Sequence, residues 1–192
     1  MHSLQTMLGT AALGVTLLGA AQALAAPAAW QVDSAHSQLG FSGAMGGTPF
    51  DGAFQRWTAQ IRFDPKDLAH SSVTADVDMT SARSGDADRD QAMPTDTWFA
   101  AAHFPRAVFD AHSFKDLGGG HFQAIGTLSL RGVTRPLTLP FTLAIAGDTA
   151  QMNGAVDLDR TAFGVGQGQW RTGETVSAKV RVSLKVTAHR AH

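Results

Sequence analysis

The 192-residue chain sets 15 Lys and Arg against 16 Asp and Glu, a formal charge of -1, so no basic excess is available to neutralise phosphates and nucleic acid is not an expected partner. The absence of cysteine excludes disulfides, thiolate metal sites and cysteine nucleophiles. With 44% apolar and 16% charged residues, the composition is that of one packed domain and not of a solvated, disordered polymer.

In chain order, the first element is a leader. Residues 1–30 hold no Lys, Arg, Asp or Glu, and 7–21 is an apolar run of the length of a signal-peptide core. Ala23 and Ala25 supply the small-x-small pattern that a signal peptidase requires. Residues 1–26 therefore read as a signal peptide, cleaved after Ala25 or Ala26, with export of a single domain, 27–192, to the periplasm. The start of the leader has only its amino terminus and His2 for positive charge, which keeps an uncleaved anchor as the alternative. Against an anchor, Gly9, Gly14, Gly19 and Gln22 dilute the apolar run.

Beyond Pro27 apolar and polar residues alternate with a period of two, the mark of half-buried strands. Leu39 and Phe41 begin the pattern. Trp57, Ala59, Ile61 and Phe63 share one face, and so do Val73, Ala75, Val77 and Met79. Ala107, Phe109 and Ala111 follow, then Phe122 through Leu130, Leu137 through Ile145, Met152 through Leu158, and Val176 through Val186. Turn-formers such as Asp51-Gly52, Gly118-Gly119-Gly120 and Gly147-Asp148 separate them. The alternation disappears between Ser81 and Phe104. There, residues 86–102 read as a short helical segment, one or two helices with acidic first turns divided by Pro94. The fold class is all-β and mostly antiparallel, with about eight strands; a sandwich and a closed barrel both satisfy one apolar face.

Four constellations could carry chemistry. Asp33, His36 and Ser37 have the residue types of a nucleophilic triad, but adjacent His36 and Ser37 point to opposite faces of a strand and no Gly-x-Ser-x-Gly elbow is present. His103, His112 and His121 recur every nine residues, an odd spacing that alternates faces, so no metal site is expected. Asp86, Asp88, Arg89 and Asp90, with Asp159-Arg160, suit a helix start and barrel-end salt bridges better than an acid/base pair or a binding site for a polar head group. An enzyme would have to bring His36, Arg89, Asp90 and Arg160 together near a barrel mouth. Gly164-Val165-Gly166-Gln167-Gly168 opens no helix and reads as a loop, not a phosphate cradle.

The chain resembles the YceI-like family, described as polyisoprenoid-binding and lipocalin-like. The resemblance is carried by Trp30-Gln31-Val32-Asp33-Ser34-Ala35-His36-Ser37-Gln38-Leu39-Gly40-Phe41, Gly52-Ala53-Phe54, Phe63-Asp64, Arg89-Asp90, Trp98-Phe99 and Phe104-Pro105 with Phe109. Gly126-Thr127-Leu128-Ser129-Leu130-Arg131-Gly132-Val133-Thr134 and Asp159-Arg160-Thr161-Ala162-Phe163-Gly164 extend it. It departs at the glycine-rich 43–48 and at 166–170. The resemblance implies an extended antiparallel β-barrel in the periplasm enclosing a long-chain isoprenoid or isoprenoid-quinone-like lipid, with no catalytic residues, no metal and no cofactor beyond that ligand. The lining is expected to come from Phe41, Ile61, Phe63, Val77, Trp98, Phe99, Phe104, Phe109, Leu128, Leu139, Phe141 and Phe163. A membrane or a cytochrome is the kind of partner such a carrier would meet, and a homodimer is compatible with it. The competing readings are an interaction module with a filled core and a hydrolytic or metal-dependent enzyme.

Overall fold

The computed structural model describes residues 26–191. The expected signal peptide, up to Ala25, lies outside the described residues.

Eleven strands and one short helix follow the alternation. They are β1 (Ala29–Val32), β2 (Gln38–Met45), β3 (Thr48–Phe54), β4 (Trp57–Arg62), β5 (Ser72–Asp78), β6 (Ala82–Arg83), α1 (Ala87–Ala92), β7 (Arg106–Gly118), β8 (His121–Leu130), β9 (Val133–Ala146), β10 (Thr149–Asp159) and β11 (Lys179–Arg190). They form one antiparallel sheet in which β1-β4-β5-β7-β8-β9-β10-β11 is closed into a ring by β1 against β11. The expected barrel of about eight strands is therefore what the chain builds.

Three of the eight staves are made in two pieces. β1 and β2 both lie on β11, through Trp30↔Arg190 and Phe41↔Val182. β4 and β3 form the next stave and β5 and β6 the third. Two of the joints are short 3-10 turns capped by an aspartate. Asp33 accepts the Ala35 amide at 3.0 Å and Asp78 accepts the Thr80 amide at 2.8 Å. A short polar side chain that bonds the backbone two residues on competes with the ladder, so the strand bends there.

Between Ser81 and Phe104 the helical segment is shorter than expected. Asp86 caps α1 by accepting the Arg89 amide at 2.9 Å, but the helix ends at Ala92. Pro94 has no N–H to continue it, and Ala100 takes a left-handed φ of 50°. Residues 93–103 are a series of turns folded over one end of the barrel, called here the helix end. The other, terminal end carries β1 and the end of β11.

The core is split between the two ends. At the terminal end Trp30, Phe63, Phe122 and Phe141 are buried among alanines of β7, β8, β10 and β11. Phe63 meets Phe114, Phe122 and Phe141 edge-on at 5.2, 5.7 and 6.0 Å, an arrangement that suits the ring quadrupoles. At the helix end Phe41, Met93, Met79 and Ala101 are buried with Phe54 and Phe99 against them. Gly52 permits one of these contacts, since a Cβ there would lie 2.3 Å from the Phe41 ring and 2.7 Å from the Arg83 carbonyl. Gly52→Val is expected to cost about 1–3 kcal/mol by overpacking, measured as a lowered urea midpoint. An unchanged midpoint would mean that both the Phe41 ring and the Arg83 backbone give way freely.

Candidate functional site

Between the two clusters the barrel is hollow. The cavity measures about 620 Å³, within the range of small-molecule sites. Alternate positions of every stave form its wall, including Leu39, Trp57, Ala59, Val73, Ala75, Phe109, Leu128, Leu137, Met152, Val156, Val182 and Leu184. Its only charged residues are Asp86, Asp88, Arg89 and Arg160, all at the helix end.

Of the expected lining residues, Phe41, Ile61, Phe63, Val77, Trp98, Phe99, Phe109, Leu128, Leu139, Phe141 and Phe163 do line this cavity. Phe104 does not. It is 37% exposed and its ring covers Gly132 from outside, 2.7 Å from where a Cβ would stand. It follows the turns of 93–103, where no strand period assigns a face. Phe114 was missed for the opposite reason. The pairing of β7 with β8 shifts between Ala111 and Ser113, so His112 is an extra residue and the inward phase moves from Ala111 to Phe114. Phe50 and Phe54, also on the wall, share one face of β3 with Gly52 between them, while Met93 and Trp170 come from turns outside any strand alternation.

Arg160 organises the helix end. It is only 5% exposed, and its guanidinium donates to four backbone carbonyls: Ser177 at 3.0 Å, Val165 at 2.7 Å, Thr172 at 2.9 Å and Val176 at 2.7 Å. Its guanidinium carbon lies 5.4 Å from the Trp98 ring centroid. Burial lowers its pKa below the ordinary guanidinium value, with Asp159 opposing that shift. The glycine-rich loop is the cradle of this group. Gly166 has φ +85°, and a Cβ there would sit 2.2 Å from Nη1 of Arg160. Arg131 ties the β8–β9 turn to the same end by donating to the Asp96 carbonyl at 2.8 Å, from a left-handed φ of 49°.

The other candidates fall into two groups, Asp33 with His36 and Arg89 with Asp90. Asp33 Oδ2 lies 2.7 Å from His36 Nδ1, while the Ser37 hydroxyl donates to the Thr187 carbonyl at 3.2 Å and accepts the Thr187 amide at 3.0 Å. Ser37 is thus a latch onto β11. Arg89 donates to the Ser84 hydroxyl at 2.7 Å and lies over Phe50 at 4.3 Å. Asp90 accepts both the amide and the hydroxyl of Ser84 at 2.7 Å. His36 is beside the Thr187 level of β11, whereas the Arg160 amide bonds to Ala178 at that strand's other end. His103, His112 and His121 lie on a turn, a bulge and the start of β8, respectively. Among the described residues no three His, Asp or Glu side chains are grouped to hold a metal ion.

Four aspartates carry pH information. Hydrogen bonds from His36, Thr80, Ser84 and Thr161 hold Asp33, Asp78, Asp90 and Asp159, in that order, below the ordinary carboxyl value of 3.8. A carboxyl depressed in the folded state stabilises the fold above its unfolded pKa and loses that effect as pH falls through the folded value. Urea midpoints are therefore expected to be flat above the ordinary value of 3.8 and to fall below it. Asp78→Asn combined with Asp159→Asn should make that fall shallower; an identical profile would detach acid sensitivity from these caps.

Residues 30–188 match the YceI-like domain. The UPF0312 protein of Shewanella denitrificans is 31% identical over 141 residues, 72% of this chain and 70% of that protein. The UPF0312 protein of Pseudomonas savastanoi pv. phaseolicola is 27% identical over 184 residues, covering 92% and 95%. That of Vibrio campbellii is 32% identical over 115 residues, a match spanning 59% of this chain and 61% of that protein. Among solved structures, Burkholderia cenocepacia BcnA superposes with a TM-score of 0.78 at 29% identity, covering 81% of this chain and 98% of BcnA. A polyisoprenoid binding domain from Saccharophagus degradans, implicated in plant cell wall breakdown, superposes with a TM-score of 0.68 at 14% identity, covering 85% and 99%, and so shares the fold. With the domain match running from β1 to the end of β11, the chain belongs to the YceI-like family.

Proposed function

We propose that the protein is a periplasmic carrier that holds a polyisoprenoid or isoprenoid-quinone-like lipid inside its barrel and performs no chemistry on it. The observation that carries this reading is the cavity, about 620 Å³ with an almost wholly apolar wall running between two aromatic clusters. Burying one methylene there is worth about 0.8 kcal/mol, so a few isoprene units offset an association cost of order 4–15 kcal/mol. The Saccharophagus degradans domain of the same fold is a polyisoprenoid binding domain, which supports the same ligand class here. Arg89 and Asp90 are tied together through Ser84, while His36 and Arg160 are each engaged elsewhere, and this dispersal supports binding over catalysis. The periplasmic placement rests on the apolar leader, and a membrane is the natural source of such a lipid.

The test is expression with the leader, purification from the periplasm without detergent, and mass spectrometry of an organic extract. A stoichiometric isoprenoid is the expected result. An empty barrel that also takes up no added isoprenoid would overturn the reading and leave the interaction module.

A further inference from the structure

On one seam the barrel wall is not laced. β4 meets β1 at two pairs, Ala29↔Arg62 and Trp30↔Ile61, and the next pair on that seam is Leu39↔Phe54 between β2 and β3. Residues 31–38 and 55–60 run past one another without a ladder pair between them. Two joints fall at this gap: Asp33 caps a 3-10 turn in one chain and bonds its amide to Thr187 of β11, while the Arg56 carbonyl of the other accepts from the Asp78 amide. The gap is a slot of about 500 Å³. Phe54 and Trp57 border both the slot and the apolar cavity, so two aromatic side chains stand between them.

The slot differs from the cavity in chemistry. Ser34, Gln38 and Gln55 line it, and their side chains make no hydrogen bond among the described residues. The Trp57 indole N–H is equally without a partner there, whereas the Trp30 indole donates to the Phe63 carbonyl at 2.9 Å. Arg56 is the one cation on the slot, and Asp78 and Thr80 engage it at 2.9 Å each. At the helix end Asp86 and Asp88 stand beside Arg89, and the Arg160 donors are consumed by carbonyls. Neither the slot nor the helix end offers the cluster of free cations that a diphosphate needs. What the slot offers is neutral hydrogen-bond donors, two carboxamides and an indole.

We propose that the slot is the head-group site of the barrel's ligand, taking a neutral polar head whose oxygens accept hydrogen bonds from Trp57, Gln38 and Gln55. The chain then lies in the cavity and crosses the wall where Phe54 and Trp57 part. The inference rests on the lipid-carrier reading and narrows it, against phosphorylated isoprenoids and toward carbonyl- or ether-bearing ones.

Calorimetry with three probes of equal isoprenoid tail tests it: a benzoquinone, the headless hydrocarbon and a monophosphate. The wild type should prefer the quinone over the hydrocarbon by about tenfold, the worth of one to two net hydrogen bonds, with the monophosphate no tighter than the hydrocarbon. Gln38→Leu with Gln55→Leu, both exposed positions, and separately Trp57→Phe, should each remove most of that preference. A preference that survives in both variants, the absence of any preference, or a monophosphate that binds tightest would overturn the proposal while leaving the carrier intact. If the hydrocarbon and the quinone both fail to bind, the carrier reading falls and the slot with it.

Discussion

Arg160→Met is expected to cost at least about 1.5–3 kcal/mol of folding stability, the worth of one hydrogen bond to a charged group, read as a large drop in urea midpoint. The methionine fills much of the volume but leaves the carbonyls of Val165, Thr172, Val176 and Ser177 without their donor. Hydrogen bonds to a charged group are worth about 1.5–3 kcal/mol each, though four sharing one side chain do not add. Arg160→Lys should recover only a minor part, because a single ammonium cannot reproduce a planar fork that serves four acceptors. The segment that Arg160 gathers includes Val165, Trp170 and Val176 of the cavity wall. Affinity for an apolar ligand should therefore fall with stability. A variant within about 1 kcal/mol of the wild type, below the cost of even one orphaned carbonyl, would show that this loop is held by other contacts.

Ala75→Phe should spare or raise stability while weakening uptake. Ala59 and Ala75 are paired across β4 and β5, Ala75 also faces Phe109 on β7, and all three line the cavity. A phenyl ring at residue 75 enters space that the fold leaves open, so the folded apoprotein should be unchanged or more stable. Affinity for a long apolar chain should drop by at least about tenfold, the loss of two or more buried methylenes. In a barrel whose interior is already filled, the same substitution would cost about 1–3 kcal/mol by overpacking. Whether the urea midpoint falls thus separates a carrier from an interaction module without reference to any ligand.

Strand faces were legible wherever alternation ran unbroken. Leu137, Leu139, Phe141, Leu143 and Ile145 point inward as a period of two requires, and so do Trp57, Ala59 and Ile61. The reading failed where one residue interrupts the period. The bulge at His112 hides Phe114, and a bulge leaves no compositional mark when both phases carry plausible residues. Phe104 was misplaced because it follows turns that assign no face. Arg160 was visible as half of an Asp-Arg pair, a pattern that suggests a salt bridge. Its actual partners are backbone carbonyls supplied by a loop, which no spacing of side chains discloses. The unlaced seam was equally hidden, since it depends on two joints in different strands falling side by side. Closure of the sheet into a barrel, with a cavity instead of a packed centre, came from the register and not from the pattern of any single strand.

One consequence follows from the aromatic composition. The chain has 4 tryptophans and no tyrosine, and Trp30, Trp57, Trp98 and Trp170 all border the same cavity. Every indole that absorbs and emits in this molecule therefore looks onto the space a ligand would fill, with no phenol signal from the surface to mask it. The protein is its own optical gauge of occupancy: emission wavelength and quenching report whether that space holds water, an alkyl chain or an electron-accepting ring, with no label attached.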